Sequence, residues 1–232
     1  MRLLFLFVLF LSCNTTDKIT PEMEEKEMPQ TTFSYLALGD SYTIGESVEV
    51  EERFPMQLAA QLRADSIQME KPYIIATTGW TTDELQAGID SEKIDQKYDL
   101  VSLLIGVNNQ YRGYSKPVYE VEFEFLLQQA ISFADGQKDR VFVVSIPDYA
   151  YTPFGQKADS EAISSGVAAF NEINKKITEK YTVAYYNITP ISQKGIENPS
   201  LVASDDLHPS GAQYQLWVDS FYEKVKAKLL AK

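Results

Sequence analysis

The sequence predicts an α/β fold: a three-layer α/β/α sandwich on a five-stranded parallel sheet. Three observations predict it. Short apolar runs alternate with amphipathic stretches from residue 33 onward, the βα repeat that lays strands side by side under helices. One run, DLVSLLIGVNN (99–109), has almost no polar interruption, as a central strand buried on both faces requires. The chain has 232 residues, 44% hydrophobic and 23% charged, enough for one domain with a sizeable core and marginal for two.

The elements follow in order. YLALG (35–39) is the first strand, cut off by Gly39. PMQLAAQLRADS (55–66) is a helix with proline in its first turn, where a missing N–H does no harm. YIIATTG (73–79) is the second strand. TTDELQAGI (81–89) opens on Thr81 with Glu84 three residues later, a capping box. Residues 99–109 form the third strand. Residues 117–134 predict a long helix with Val118, Val121, Phe125 and Phe133 on one side. RVFVVSIPD (140–148) is the fourth strand. Over 160–181, Ile163, Val167, Phe170, Ile173 and Ile177 recur at helical spacing. TVAYYNIT (182–189) is the fifth strand. The last helix, 210–231, buries Tyr214, Trp217, Val218, Phe221 and Val225. The arrangement is of flavodoxin-like type, in which ligands bind beyond the carboxyl ends of the strands.

Ahead of this domain, assigned to residues 33–232, lie two short segments. MRLLFLFVLFLS (1–12) places Arg2 before an apolar stretch, Leu3–Leu11, far too short to span a bilayer. It reads as a signal peptide. It ends at Cys13, the single cysteine. FLSC resembles the lipobox of bacterial lipoproteins, which implies lipidation of Cys13 and a lipid-anchored place in the bacterial cell envelope, on the periplasmic or outer-surface side. Residues 14–32 hold two prolines and a cluster of glutamates, so 13–32 is a lipidated cysteine and flexible tether. Such a chain reaches about 24 Å on average. One cysteine excludes an intrachain disulfide and a multi-cysteine zinc site. A formal charge of −12 repels nucleic acid and anionic headgroups.

The chemistry collects at one edge of the sheet. The first three strands end in Gly39-Asp40-Ser41, Thr78-Gly79-Trp80 and Gly106-Val107-Asn108-Asn109. The loop before the last helix, SDDLHPSG, holds His208, the only histidine, with Asp205 three residues before it. Acyl transfer needs a nucleophile, a base, an orienter for the base and donors for the oxyanion. Ser41, His208 and Asp205 fill the first three roles. The Ser41 and Gly79 N–H groups and the Asn108 amide fill the last. Each piece alone has a plainer reading as a turn, a strand end or a helix-entry residue. Together they fall in the right order at strand ends or beside the last helix. Asp206 stands at the wrong spacing and reads as a loop residue. Asp40 reads as a local hydrogen-bonding group behind the serine.

These motifs resemble those of the SGNH, or GDSL-type, hydrolases. GDSY carries the serine as Ser41, with Tyr42 where the GDSL name has leucine. TTGWTT carries the glycine as Gly79, GVNN the asparagine as Asn108, and DDLHP the DxxH pair as Asp205 and His208. The resemblance covers residues 34–228. Asn109 departs from it, since many members have aspartate there. It implies the same three-layer sandwich and a serine hydrolase, with no metal and no organic cofactor.

The substrate is the less specific part. Tyr42, Trp80, Tyr111, Arg112 and Tyr149 follow the catalytic positions or the fourth strand and are the substrate-binding candidates. Aromatics at a pocket rim suit sugar rings or acyl chains. The favoured reading is an esterase for small acyl esters, such as acetylated carbohydrate. A lysophospholipase or thioesterase of the same family is the alternative. A third reading is an inactive surface-tethered binding protein on this scaffold, against which the intact Ser41, Asn108, Asp205 and His208 argue. A phosphoryl-transfer enzyme lacks its Gly-rich loop with lysine.

Overall fold

The computed structural model describes residues 31–231. The signal peptide, Cys13 and the tether as far as residue 30 lie outside the described residues. The chain enters the fold at Phe33, which bridges to Met69. It then forms β1 (Tyr35–Gly39), α1 (Ser41–Ile44), α2 (Phe54–Ala64), β2 (Tyr73–Ala76), α3 (Thr82–Glu92) and β3 (Leu100–Leu104). The second half runs α4 (Val107–Tyr111), α5 (Lys116–Phe133), β4 (Val141–Val144), α6 (Ser160–Lys180), β5 (Ala184–Tyr186), α7 (Thr189–Ser192) and α8 (Gly211–Leu230). Short 3-10 turns fill several connections.

The five strands are parallel, in the order β2-β1-β3-β4-β5. This is the expected flavodoxin-like sheet. The chain reverses direction across the sheet between β1 and β3, and that crevice is where such folds bind ligands. β1 pairs Gly39 with Ala76 on one side and Leu104 on the other, so the three strands end level. Both β1 and β3 are buried along their whole length. α2 packs with α8, while α3, α5 and α6 pack in succession. Tyr214, Trp217, Val218, Phe221 and Val225 of α8 are buried as the periodicity requires.

Two expectations are corrected. The strands stop earlier than their apolar runs. β3 ends at Leu104, and Asn108 and Asn109 lie instead on α4. Gly106, at φ +127°, breaks the extended path there. The second difference is the inner face of α5. Val118, Val121 and Phe125 are 48%, 70% and 52% exposed, whereas Tyr119, Phe123, Leu126, Leu127 and Ala130 are buried. The helix carries two apolar stripes, and the sheet takes the longer one, at i, i+4, i+7, i+8 and i+11. The capping box of α3 forms as its sequence predicts, with Thr81 and Glu84 reciprocally bonded.

Candidate active site

Ser41 is the first residue of α1, and its position follows from its neighbours. A Cβ on Gly39 would stand 2.1 Å from Thr43 Oγ1 and 2.4 Å from the Leu104 carbonyl, so only glycine lets the chain turn this tightly off β1. Asp40 caps α1 by accepting the Tyr42 N–H at 3.0 Å. Ser41 itself is 3% exposed. Its own N–H has no partner among the described residues. Asp40 is wholly buried, and its Oδ2 has no hydrogen-bond partner among the described residues. Burial pushes its carboxyl up to about 7, against the pull of the Tyr42 N–H.

The loop before α8 holds the histidine. Asp205 Oδ1 accepts the N–H groups of Leu207 and His208 at 3.0 and 2.9 Å. Its Oδ2 lies 2.5 Å from His208 Nδ1 and accepts the Ser47 hydroxyl at 2.7 Å. Partial burial raises this carboxyl, but the hydrogen bonds from His208, Leu207 and Ser47 outweigh it and hold it down at about 2. An ionised Asp205 favours the tautomer with the proton on Nδ1, which leaves Nε2 free to accept. The ring of Tyr42 packs on the imidazole at 5.3 Å between centroids. Ser41 and His208 line the same cleft without a direct hydrogen bond. Such bonds are often long until substrate tightens them.

The other two strand ends are tied to each other by side chains. Gly79 has φ +87°, which favours glycine, and its N–H is without a partner among the described residues. Its carbonyl accepts Arg112 Nη2 at 2.6 Å, and Arg112 Nη1 pairs with Glu84 at 3.0 Å. One N–H of the Asn108 amide donates to the Trp80 carbonyl at 3.0 Å, leaving the other available. Asn109 is fully buried. It accepts the Thr82 N–H at 3.1 Å and donates to Thr82 Oγ1 at 2.7 Å.

A cleft of about 190 Å³ is lined by Ser41, Tyr42, Val107, Asn108, Tyr111, Tyr149, Phe154, Leu207 and His208. A larger cavity of about 490 Å³ lies at the amino ends of the strands, beside Tyr35, Tyr73 and Tyr98. The smaller one is the candidate site, because it alone joins a nucleophile, a base and free N–H donors at the carboxyl edge.

Residues 37–216 match the model of the GDSL-like lipase/acylhydrolase family. The chain belongs to this family. It is a carboxylic ester hydrolase, and the GDSL fold is shared by solved structures at low identity. A lipase/acylhydrolase from Enterococcus faecalis is 17% identical, with a TM-score of 0.66 over 87% of this chain and 99% of that one. The acetylxylan esterase Axe2 from Geobacillus stearothermophilus is 20% identical, with a TM-score of 0.64 over 85% and 96%. The psychrotrophic esterase EstA from a Pseudoalteromonas species is 18% identical, with a TM-score of 0.65 over 86% and 100%. No curated protein matches significantly.

Of the residues singled out in the GDSL sequence, Ser41, Asn108 and His208 share the cleft, with Asp205 bonded behind His208. Gly79 stands on the neighbouring strand end. Tyr42, Tyr111 and Tyr149 line the cleft, but Trp80 and Arg112 do not. The indole of Trp80 lies over Gly88 of α3, where a Cβ would come within 2.2 Å of it. Arg112 is committed to Glu84 and Gly79. Sequence reasoning missed the supporting roles of Ser47 and Asn109. Asn109 was visible as a departure from the family pattern. Ser47 is 158 residues from Asp205 and gave no signal.

Proposed function

We propose that Ser41, His208 and Asp205 form the catalytic triad of an esterase acting on small acyl esters, such as acetylated carbohydrate. The observation that carries this is the Asp205 carboxylate, fixed by backbone and Ser47 donors against Nδ1 of a histidine that lines the cleft of Ser41. His208 Nε2 takes the Ser41 hydroxyl proton as Oγ attacks the ester carbonyl. The carbonyl oxygen gains the negative charge and meets the Ser41 N–H, the Gly79 N–H and the free N–H of Asn108. Collapse breaks the bond to the alcohol oxygen, which receives the proton from His208. Water then repeats the sequence on the acyl-serine and releases the acid. Asp205 keeps its charge and holds the imidazole throughout.

The size of the cleft supports a small acyl group. At about 190 Å³ it falls below the roughly 300–1,000 Å³ of sites for drug-sized ligands. The likeness to an acetylxylan esterase fits an acetyl ester of a sugar. The test is labelling by a fluorophosphonate probe, with turnover of p-nitrophenyl esters of graded chain length beside acetylated sugars. Ser41→Ala is expected to lose both labelling and turnover. Undiminished turnover by that variant would exclude Ser41 as the nucleophile.

The place of action is the cell envelope, with Cys13 carrying the lipid anchor. FLSC ahead of a polar, glutamate-rich tether supports this. Mass spectrometry of the mature protein is expected to find a lipidated Cys13 as its first residue. An unmodified Cys13 in mature, soluble protein would exclude it.

A further inference from the structure

Three aromatic side chains of the cleft at Ser41 also border a second hollow. Tyr111, Tyr149 and Phe154 line the cleft. They also line a cavity of about 320 Å³ completed by Lys157, Ala158 and Ile163. Tyr111 meets Tyr149 edge-on at 6.2 Å and Phe154 at 6.4 Å between centroids. The three are held unequally. Tyr149 is 6% exposed, and its hydroxyl donates to Gln110 Oε1 at 2.9 Å. Phe154 is tied through its N–H to the Asp206 carbonyl at 2.9 Å. Tyr111 is the last residue of α4 and is 61% exposed. It follows Asn108 by three residues, so the two side chains leave the helix on one side.

The chemistry of the cleft indicates which half of an ester points at this partition. Apart from Ser41, Asn108 and His208, its lining is Tyr42, Val107, Leu207 and the three rings. An apolar approach takes the hydrocarbon half and leaves a hydroxyl-rich alcohol towards solvent. We propose that Tyr111 sets the acyl-chain length by closing the catalytic cleft against the second cavity. This rests on the reading of Ser41 as nucleophile. With Tyr111 cut back to a methyl group the two cavities join. A longer chain then passes Tyr149 and Phe154 onto Ala158, Ile163 and the aliphatic stem of Lys157. Each methylene moved out of water is worth roughly a fourfold gain in kcat/KM.

The test compares p-nitrophenyl acetate, butyrate and octanoate with the wild type, Tyr111→Ala and the double variant Tyr111→Ala with Ala158→Phe. The octanoate-to-acetate ratio of kcat/KM is expected to rise at least about tenfold in Tyr111→Ala. It should lose most of that gain in the double variant, whose added ring refills the second cavity. A ratio unchanged by Tyr111→Ala, or a gain fully kept in the double variant, overturns the proposal. Ser41→Ala is assayed alongside. Turnover retained there counts against the nucleophile. Turnover lost there, with an unchanged chain-length ratio, counts against Tyr111 alone.

Discussion

Behind Ser41 sits a carboxyl group that the fold prefers uncharged. Asp40 is wholly buried, with one oxygen capping α1 and the other unpartnered among the described residues. Its proton affinity rises from an ordinary 3.8 to about 7. Between those pH values the folded protein holds a proton that the unfolded chain releases, so stability falls as pH rises through this window. At about 1.4 kcal/mol for each tenfold change in affinity, the ionised form costs roughly 4 kcal/mol. Asp40→Asn keeps an acceptor for the Tyr42 N–H and removes the charge. Urea unfolding at pH 5, 6.5 and 8 is expected to show the wild type losing stability over this range and the variant losing much less. Parallel pH curves would place the titrating group elsewhere. At this scale the sequence was informative where chemistry is scarce. A single histidine with an aspartate three residues before it, and a serine at a strand end, stand out in any chain. Trp80 was legible as an aromatic beside the candidate oxyanion glycine, but its direction depends on Gly88 packing beneath it, which no local pattern reveals.

Among the elements, two make contrasting tests. α5 shows that a pattern has a phase that must be chosen. Its two apolar stripes are both real in sequence, and only the sheet beneath selects Tyr119, Phe123, Leu126, Leu127 and Ala130. Phe123→Ala is expected to cost roughly 3–5 kcal/mol, and the exposed Phe125→Gln less than about 0.5 kcal/mol. Denaturant unfolding reads both, and equal losses would contradict the burial described. The second test concerns the segment between β2 and α3. Arg112 joins its Gly79 carbonyl to Glu84 at the start of α3 with two arms of one guanidinium. Lysine has no such fork. On the proposed role of the Gly79 N–H, both Arg112→Ala and Arg112→Lys are expected to lower kcat roughly ten- to hundredfold, with little change in KM, because a donor shifted by an ångström stabilises the transition state poorly. Full activity in Arg112→Lys would mean that charge alone suffices there. Strand lengths were the least legible feature, since apolar runs continue past the sheet edge into the turns that carry the site.

For the molecule as a whole, alternation of runs announced a parallel sheet, but the strand order β2-β1-β3-β4-β5 rests on contacts between segments far apart in sequence, as the pairing of α2 with α8 does. The second cavity beyond Tyr111 belongs to the same category, because it arises only when α4 and the segment after β4 meet. Net charge, by contrast, is read directly. At −12, the protein's field opposes anionic substrates at long range. For an acetyl ester whose alcohol bears a carboxylate, kcat/KM is expected to climb several-fold as salt rises to about 0.3 M, while a neutral ester stays level. A level response from both would show that the cleft is insulated from the surface charge. The strand-end ties also bear on how this protein fails when warmed. Gly79 and Asn108 lie beyond the last paired residues, Ala76 and Leu104, and are kept in place by Arg112, Asn109 and the Trp80 carbonyl. Trp217, in contrast, is sealed in the core. Segments held by a few side-chain bonds and one five-residue helix, α4, open before a ladder-bonded core does. Catalysis should therefore fade at a lower temperature than the far-ultraviolet circular dichroism of the helices and sheet changes, and cooling from that interval should restore it in full.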